Sequence, residues 1–436
     1  MDKLFLYFRQ AWNQLRQERL FSLIYIVGTG LSVSMVMVLS IVFYMKISAI
    51  YPETNRSRTL VAASGTVKLK TEGKTSSYGL SEQVVQTCFS SLKGVEALGL
   101  VYRGGDAGKV RTEDKLEQFP VTTKYVNTGF WKVFPFRFTD GKPFTEADQQ
   151  SGLLTAVISS SLANRLFGTT KATGRFVTMN YKPYKVCGVV KDVSPVTGNA
   201  FASMWVPYTV SNGYKSGGNT ERTGSLGRFC VYLLAAPDAD LGSIKEEAEA
   251  NIRRYSQALS DAEFTMLGQP DYYWQSTFRQ SYNEQPDYFL LSLKYGLLFL
   301  ILLLVPAVNL SGMTDSRMER RLAEMGVRRS FGAPVGSLMK QVISENFLFT
   351  AIGGLFGLGL SYLLLYISRG WIMQMNAFFV RVVPEGTGDM FSLSMLMNYK
   401  VFLIALCVCF LLNLLSALIP AWRAAHREII YSLNAK

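Results

Sequence analysis

The chain reads as an integral membrane α-helical protein of four transmembrane helices, with a large extracytoplasmic α+β domain between the first and second helices. Three observations predict this. Four apolar runs, Leu20–Met45, Tyr288–Leu310, Val342–Ile367 and Val401–Ile419, each reach about the 20 residues that cross a hydrocarbon core. Residues 47–287 contain no such run and alternate in short stretches punctuated by Gly, Pro, Asn and Asp. Finally, Lys3, Arg9, Arg16 and Arg19, a central basic loop, and Arg423, Arg427 and Lys436 all fall at run ends on one side, which the positive-inside rule assigns to the cytoplasm.

Taken in order, residues 1–19 carry Leu4, Phe5, Phe8, Trp12 and Leu15 at helical spacing. That spacing suits a basic amphipathic helix on the inner membrane surface, or a plain cytoplasmic lead-in. Helix 1 covers 20–46. Its apolar core is long and the bulky Phe43-Tyr44-Met45 stands where a cleavage site needs small residues, so it reads as an uncleaved anchor. Residues 47–287 are the extracytoplasmic α+β domain. Within it, Leu153–Ser159 reads as a buried strand, Ser160–Phe167 as a helix closed by Gly168, and Ile244–Leu259 as an amphipathic helix. Phe176–Val190 reads as a hairpin about Asn180-Tyr181-Lys182-Pro183, and the polar Ser211–Gly227 as a mobile loop.

Helix 2 is placed at 288–312, a cytoplasmic loop at 313–341, helix 3 at 342–368, a short extracytoplasmic loop at 369–399, helix 4 at 400–420 and a cytoplasmic tail at 421–436. Gly353 and Gly357 form a small-xxx-small pair that Ser361 continues, so one face of helix 3 is expected to pack backbone-close on another helix. Gly30 and Ser34 offer a similar face on helix 1.

The formal charge of +13 follows from 45 basic and 32 acidic residues. Basic flanks of membrane helices account for much of that excess, so nucleic acid is not an expected partner. Cys88, Cys187 and Cys230 leave a disulfide in the α+β domain open, while Cys407 and Cys409 lie in the last run. No paired Cys-x-x-Cys occurs, and no metal is expected. Gly73-Lys74-Thr75 lacks the upstream glycine of a phosphate-binding loop, and His426 is the one histidine, set in a basic tail. No hydrolase motif is present, so the chain reads as a non-enzyme without cofactor.

The loop Thr314–Lys340, TDSRMERRLAEMGVRRSFGAPVGSLMK, combines a helix-forming start with an interruption by two glycines, Gly326 and Gly332, within Glu324–Ala333. Such an element can pass force from a soluble partner to the two attached spans. At this point the sequence resembles the MacB/FtsX-type family of ABC transporter permeases, in the form without a fused ATPase domain. Arg321, Glu324, Met325, Gly326, Arg328, Gly332 and Ala333 match the family's E-R-x-R-E-I-G-x-R-x-A-x-G-A pattern. Gln341–Gly354 is similar to its third-helix opening through Glu345, Gly353 and Gly354, and Ser416–Leu433 to its terminus through Pro420, Ala421, Ala424, Ile430 and Leu433. Tyr125–Thr145 and Thr155–Asp192 are similar to its outer domain.

The resemblance implies that Arg317, Arg321, Glu324, Met325, Gly326, Arg328, Arg329, Phe331, Gly332 and Ala333 form the ATPase-coupling element. It implies a cytoplasmic ABC ATPase partner, in two copies, and a second permease chain in a homo- or heterodimer. A periplasmic adaptor or outer-membrane channel is a further partner of some members. The implied setting is the inner membrane, with both termini cytoplasmic. The implied activity is export or efflux driven by ATP hydrolysis in the separate subunit; the alternative is a regulatory scaffold controlling a cell-wall hydrolase or sensing antibiotic peptides, without transport.

Overall fold

The structure, a computed structural model, describes residues 19–301 except 105–106, 113–116, 216–222, 280 and 282–283. It also describes 327, 330–332, 334–376 and scattered positions elsewhere, among them 402–404, 406–408, 410–411 and 414–415. Residues Met45–Pro286 form one compact unit, and the apolar helices belong to another.

In the helical unit, the first apolar run is a helix over Arg19–Ile47 and the third a helix over Val335–Asn376. Among the described residues, Ser22–Ile47 and Asn346–Ser368 are long and apolar enough to cross a membrane, and Tyr288–Ile301 is a shorter apolar helix. The third helix starts inside the stretch assigned from sequence to the cytoplasmic loop and runs beyond residue 368. Its start has a local cause: Gly332 is left-handed with φ 85°, and Pro334, whose fixed φ suits a helix entrance, precedes Val335. The expected surface helix over 1–19 lies outside the described residues apart from Arg9, Arg16 and Arg19.

Among its described residues the α+β unit has fifteen strands: β1 Thr59–Ala62, β2 Gly65–Leu69, β3 Thr75–Leu80, β4 Val95–Tyr102, β5 Ala107–Arg111, β6 Phe119–Val126, β7 Phe138–Gly141, β8 Thr155–Ser159, β9 Phe176–Met179, β10 Lys182–Val190, β11 Met204–Pro207, β12 Leu226–Gly227, β13 Phe229–Ala235, β14 Ala262–Thr265 and β15 Asp271–Tyr272. They make two lobes. In the first, β1 lies between β15 and β13, and β13 pairs on with β4, all antiparallel. Helix Glu82–Phe89 follows β3 and helix Leu241–Gln257 follows β13. The order β15-β1-β13-β4 is therefore that of a split β-α-β unit, with β2, β3 and β14 as a side ladder.

The second lobe is inserted between β4 and β13. Strand β6 pairs β11, β11 pairs β8, β8 pairs β10, β10 pairs β9, β9 pairs β5, and β5 returns to β6. These six strands close on themselves as a barrel, which leaves no open edge among them. Alternation divides their side chains between two cores. Ala156 and Ile158 of β8 join Met204, Val206, Val177 and Val186 in one cluster, whereas Val157 and Trp205 enter a second. The second is built on the aromatic run Phe130–Phe138. Phe136 lies 5.1 Å from Trp205 and 5.2 Å from Trp131, with the rings near edge-on, the geometry aromatic pairs prefer.

Local signals and structure agree where capping is involved. Helix Ser160–Phe167 is opened by the Ser159 side chain accepting from Leu162 N–H and closed by Gly168 at φ 70°. The helix expected from Ile244 begins at Leu241, because the Asp240 side chain caps it by accepting from Ser243 N–H. The hairpin turn is shorter than expected, with only Asn180 and Tyr181 left-handed, at φ 51° and 64°. Pro183 lies inside β10 opposite Thr178, and pairing of β10 with β8 starts only at Lys185; its missing donor therefore weakens no ladder. The expected loop Ser211–Gly227 is ordered at both ends, as a turn over Asn212–Lys215 and as β12; residues 216–222 lie outside the described residues.

Cys88, Cys187 and Cys230 are all free thiols. Cys88 lies in one core and Cys230 in the other, on opposite faces of the sheet. Burial pushes the Cys88 thiol up to about 11 and the Cys187 thiol up to about 12. At pH 8 the Cys187 thiolate is then on the order of one in 10,000. Iodoacetamide at that pH is expected to leave both unmodified in the folded protein and to alkylate both in denaturant, read by mass spectrometry.

Candidate functional site

The helical unit contains a close seam between the helices Arg19–Ile47 and Val335–Asn376. A Cβ added at Gly357 would lie 2.5 Å from Gly30 O and 2.9 Å from Val33 Cβ. One added at Gly353 would lie 2.8 Å from Thr29 Cβ and 3.2 Å from Ile26 O. Ser361 is fully buried further along, its hydroxyl donating to Leu358 O at 2.7 Å. Next to the glycines, Tyr25 donates to Asn346 Oδ1 at 3.0 Å and its ring sits 5.3 Å from Phe349. Phe43 contacts Tyr295 and Phe299 of the second apolar run, with centroids 5.0 and 5.2 Å away. Phe347 contacts Phe410 of the fourth at 5.3 Å. The buried polar side chains in these described helices, Ser22, Thr29, Ser32, Ser34, Asn346, Thr350 and Ser361, are all uncharged.

Of the residues assigned to the coupling element, Phe331 and Gly332 are described, and the Phe331 ring is 87% exposed. Arg317, Arg321, Glu324, Met325, Gly326, Arg328, Arg329 and Ala333 lie outside the described residues.

Two further groups went unnoticed in the sequence. The α+β unit is entered at Met45 and left at Pro286, and a buried arginine stands at each passage. At the first, Arg56 Nη1 donates to Met45 O at 2.8 Å and to Ser48 O at 2.7 Å. Its Nε and Nη2 donate to Glu53 Oε2 at 3.0 and 2.5 Å. Glu53 Oε1 accepts from Ala200 N–H at 3.0 Å. The guanidinium lies 5.1 Å over the Tyr273 ring, and the Tyr273 hydroxyl accepts from Asn199 Nδ2 at 2.8 Å. Tyr232 of β13 donates to Asn199 Oδ1 at 3.0 Å. Burial alone would pull the Arg56 pKa down, but Glu53 and Tyr273 outweigh it, so it sits above its ordinary value. Burial and then Glu53 push the Tyr273 hydroxyl well above its own.

At the second passage, Arg279 Nε and Nη2 grip Asp271 Oδ2 and Oδ1 at 2.7 and 2.8 Å. Both side chains are nearly fully buried, at 1% and 2% exposure. Arg279 Nη1 donates to Glu284 O at 2.7 Å and Nη2 to Leu267 O at 3.2 Å. Asp271 belongs to β15 and is laddered to Val61 of β1. The planar fork of arginine satisfies a carboxylate and backbone carbonyls together, which lysine cannot do. The one signal in the sequence was position: charged residues a few places inside each end of the domain, with Glu53 and Arg56 three apart.

A surface cleft of about 420 Å³ on the barrel is lined by Lys109, Arg111, Gln118, Thr178, Asn180 and Tyr181.

Residues 22–251, more than half of the 436, match the profile of the MacB-like periplasmic core domain, and residues 296–429 match that of the FtsX-like permease C-terminal region. The chain is 26% identical over 272 residues to the uncharacterised ABC transporter permease YknZ of Bacillus subtilis (strain 168), covering 62% of this chain and 64% of that one. It is 25% identical over 241 residues to the pyoverdine export ATP-binding/permease protein PvdT of Pseudomonas aeruginosa, covering 54% of this chain and 33% of that one. The chain thus spans less than two thirds of either relative. Among solved structures, the extracellular domain of YknZ from Gram-positive bacteria aligns at TM-score 0.32 and 22% identity, over 42% of this chain and 88% of that one. The periplasmic region of MacB from Actinobacillus actinomycetemcomitans aligns at TM-score 0.34 and 14% identity, over 51% and 95%.

Proposed function

The chain belongs to the MacB/FtsX-type family of ABC transporter permeases, and from that membership we propose that it is a four-span, dimeric permease subunit driven by two copies of a separate cytoplasmic ATPase. In this reading both termini are cytoplasmic and residues 47–287 form the outer domain. The ATPase docks on residues 313–341, with Arg317, Arg321, Glu324, Met325, Gly326, Arg328, Arg329, Phe331, Gly332 and Ala333 as the contact element. ATP-driven closure moves the helices, and the outer domain pushes or reshapes extracytoplasmic material for export.

The observation carrying this reading is that the two matched regions fall on the α+β unit and on the C-terminal apolar runs, with the basic stretch between two of those runs. The seam at Gly353, Gly357 and Ser361 supports it, because a tightly packed pair of helices moves as one body. The test is charge reversal. Arg328→Glu with Arg329→Glu is expected to reduce permease-stimulated ATP hydrolysis about tenfold, a coupling loss of ordinary size, while membrane insertion is unchanged. Undiminished stimulation in reconstituted complexes overturns the docking site.

A second reading, regulation without transport, is favoured by the uncharged character of the buried polar groups in the described helices. A path for a charged substrate would be expected to place ionisable groups there. Deletion then changes cell-wall turnover or peptide sensing, with a protein partner on residues 47–287, and leaves efflux intact.

A further inference from the structure

We propose that Arg56 and Arg279 are the positioning residues that carry movement of the first and second spans into the outer domain. This rests on the functional reading above. Each guanidinium holds two kinds of partner at once. One kind is the backbone of a segment leading to a span: Met45 O and Ser48 O for Arg56, Glu284 O for Arg279. The other is a carboxylate fixed in the domain. Glu53 is held by Ala200 N–H, just ahead of barrel strand β11, and Asp271 is part of the β15–β1 ladder. The first joint therefore leads to the barrel lobe and the second to the split β-α-β lobe. Tyr273 follows Asp271 by two residues in the chain, and its ring sits under the Arg56 guanidinium.

Stability does not explain these groups. Removing two charges from water offsets most of what a buried pair gains, and apolar side chains of similar volume often serve as well or better. What such a pair supplies is direction. Short, forked, charge-assisted bonds to a backbone resist displacement in several directions at once, whereas apolar contacts slide. A helix end held only by packing would slip before its domain turned.

The test uses the full-length chain in lipid nanodiscs and needs no ATPase. Gly357→Ala perturbs the helical seam, and hydrogen exchange is followed at Met204–Pro207 of the barrel lobe for the Arg56 joint and at Thr59–Ala62 and Asp271–Tyr272 for the Arg279 joint. With both joints unaltered, the seam change is expected to shift exchange at these strands about threefold or more. With Arg56→Lys or Arg279→Lys, which keep the charge but lose the planar fork, the response is expected to fall by about half or more. Arg58→Lys, at the partly exposed pair with Glu96, should leave it intact. Where a lysine variant does not fold, Arg279→Met with Asp271→Leu removes the fork without stranding a charge.

A response that persists undiminished in the joint variants overturns the proposal, and so does its absence in the unaltered chain. Adding the ATPase and nucleotide separates the two levels. If nucleotide has no effect on these strands in the unaltered chain, the functional reading fails, while the seam measurement still decides the joints.

Discussion

Asp271→Ala is expected to destabilise the outer domain by about 3–5 kcal/mol, because it strands the Arg279 guanidinium at 1% exposure without its carboxylate. For a domain of this size that corresponds to a fall in melting temperature of roughly 10 °C, read by tryptophan fluorescence of the full chain in detergent. The double change Asp271→Leu with Arg279→Met should recover most of the loss, since apolar replacement of a complete pair is often neutral. A single mutant that melts within a degree or two of the unaltered chain would mean that the fork is not formed. The contrast between single and double change separates stability from the positioning role: the double variant is expected to be stable and still fail to pass on the seam perturbation.

Gly357→Leu should disrupt the helical unit. A side chain there would meet the carbonyl oxygen of Gly30 and the Cβ of Val33, and neither a backbone atom nor a branched Cβ can swing aside. Overpacking of this kind costs about 1–3 kcal/mol and sometimes more. The expected readout is loss of monodisperse protein in fluorescence-detected gel filtration after mild heating. Gly359 is the internal control. It lies two residues along the same helix, and nothing stands within 4 Å of a Cβ added there, so Gly359→Leu should behave as the unaltered chain does. If the two variants were indistinguishable, the backbone-close approach of the two helices would be refuted.

Much of the architecture was legible because it is written locally. The cap at Ser159 and the left-handed Gly168 bound a helix within ten residues of chain, and the β9–β10 hairpin needs only its own turn. The barrel was not legible. Its closure depends on β6 pairing with β11 and β8 with β10 in parallel, and parallel partners are joined by long crossovers that leave no turn signature. Gly227 misled in a different way. In sequence it ends a polar, glycine-rich stretch, but in the structure a Cβ there would lie 2.7 Å from Leu80 O. Its glycine serves a close strand approach, not mobility.

The joints were missed for a related reason. Arg56 and Arg279 look like any charged residues near a span, and a neighbour in sequence cannot show that a guanidinium is buried.

The amino-acid sequence by itself determined which stretches are apolar enough for a membrane, which faces are small enough to touch and where the excess positive charge lies. Each of these is a property of composition or short-range period, set by transfer from water and by helix geometry. Only the tertiary structure decided which strands close the barrel and which arginines become joints. Those outcomes depend on strands and loops far apart in the chain closing over these groups and excluding water, so that each buried guanidinium meets a carboxylate and backbone carbonyls where water would otherwise be.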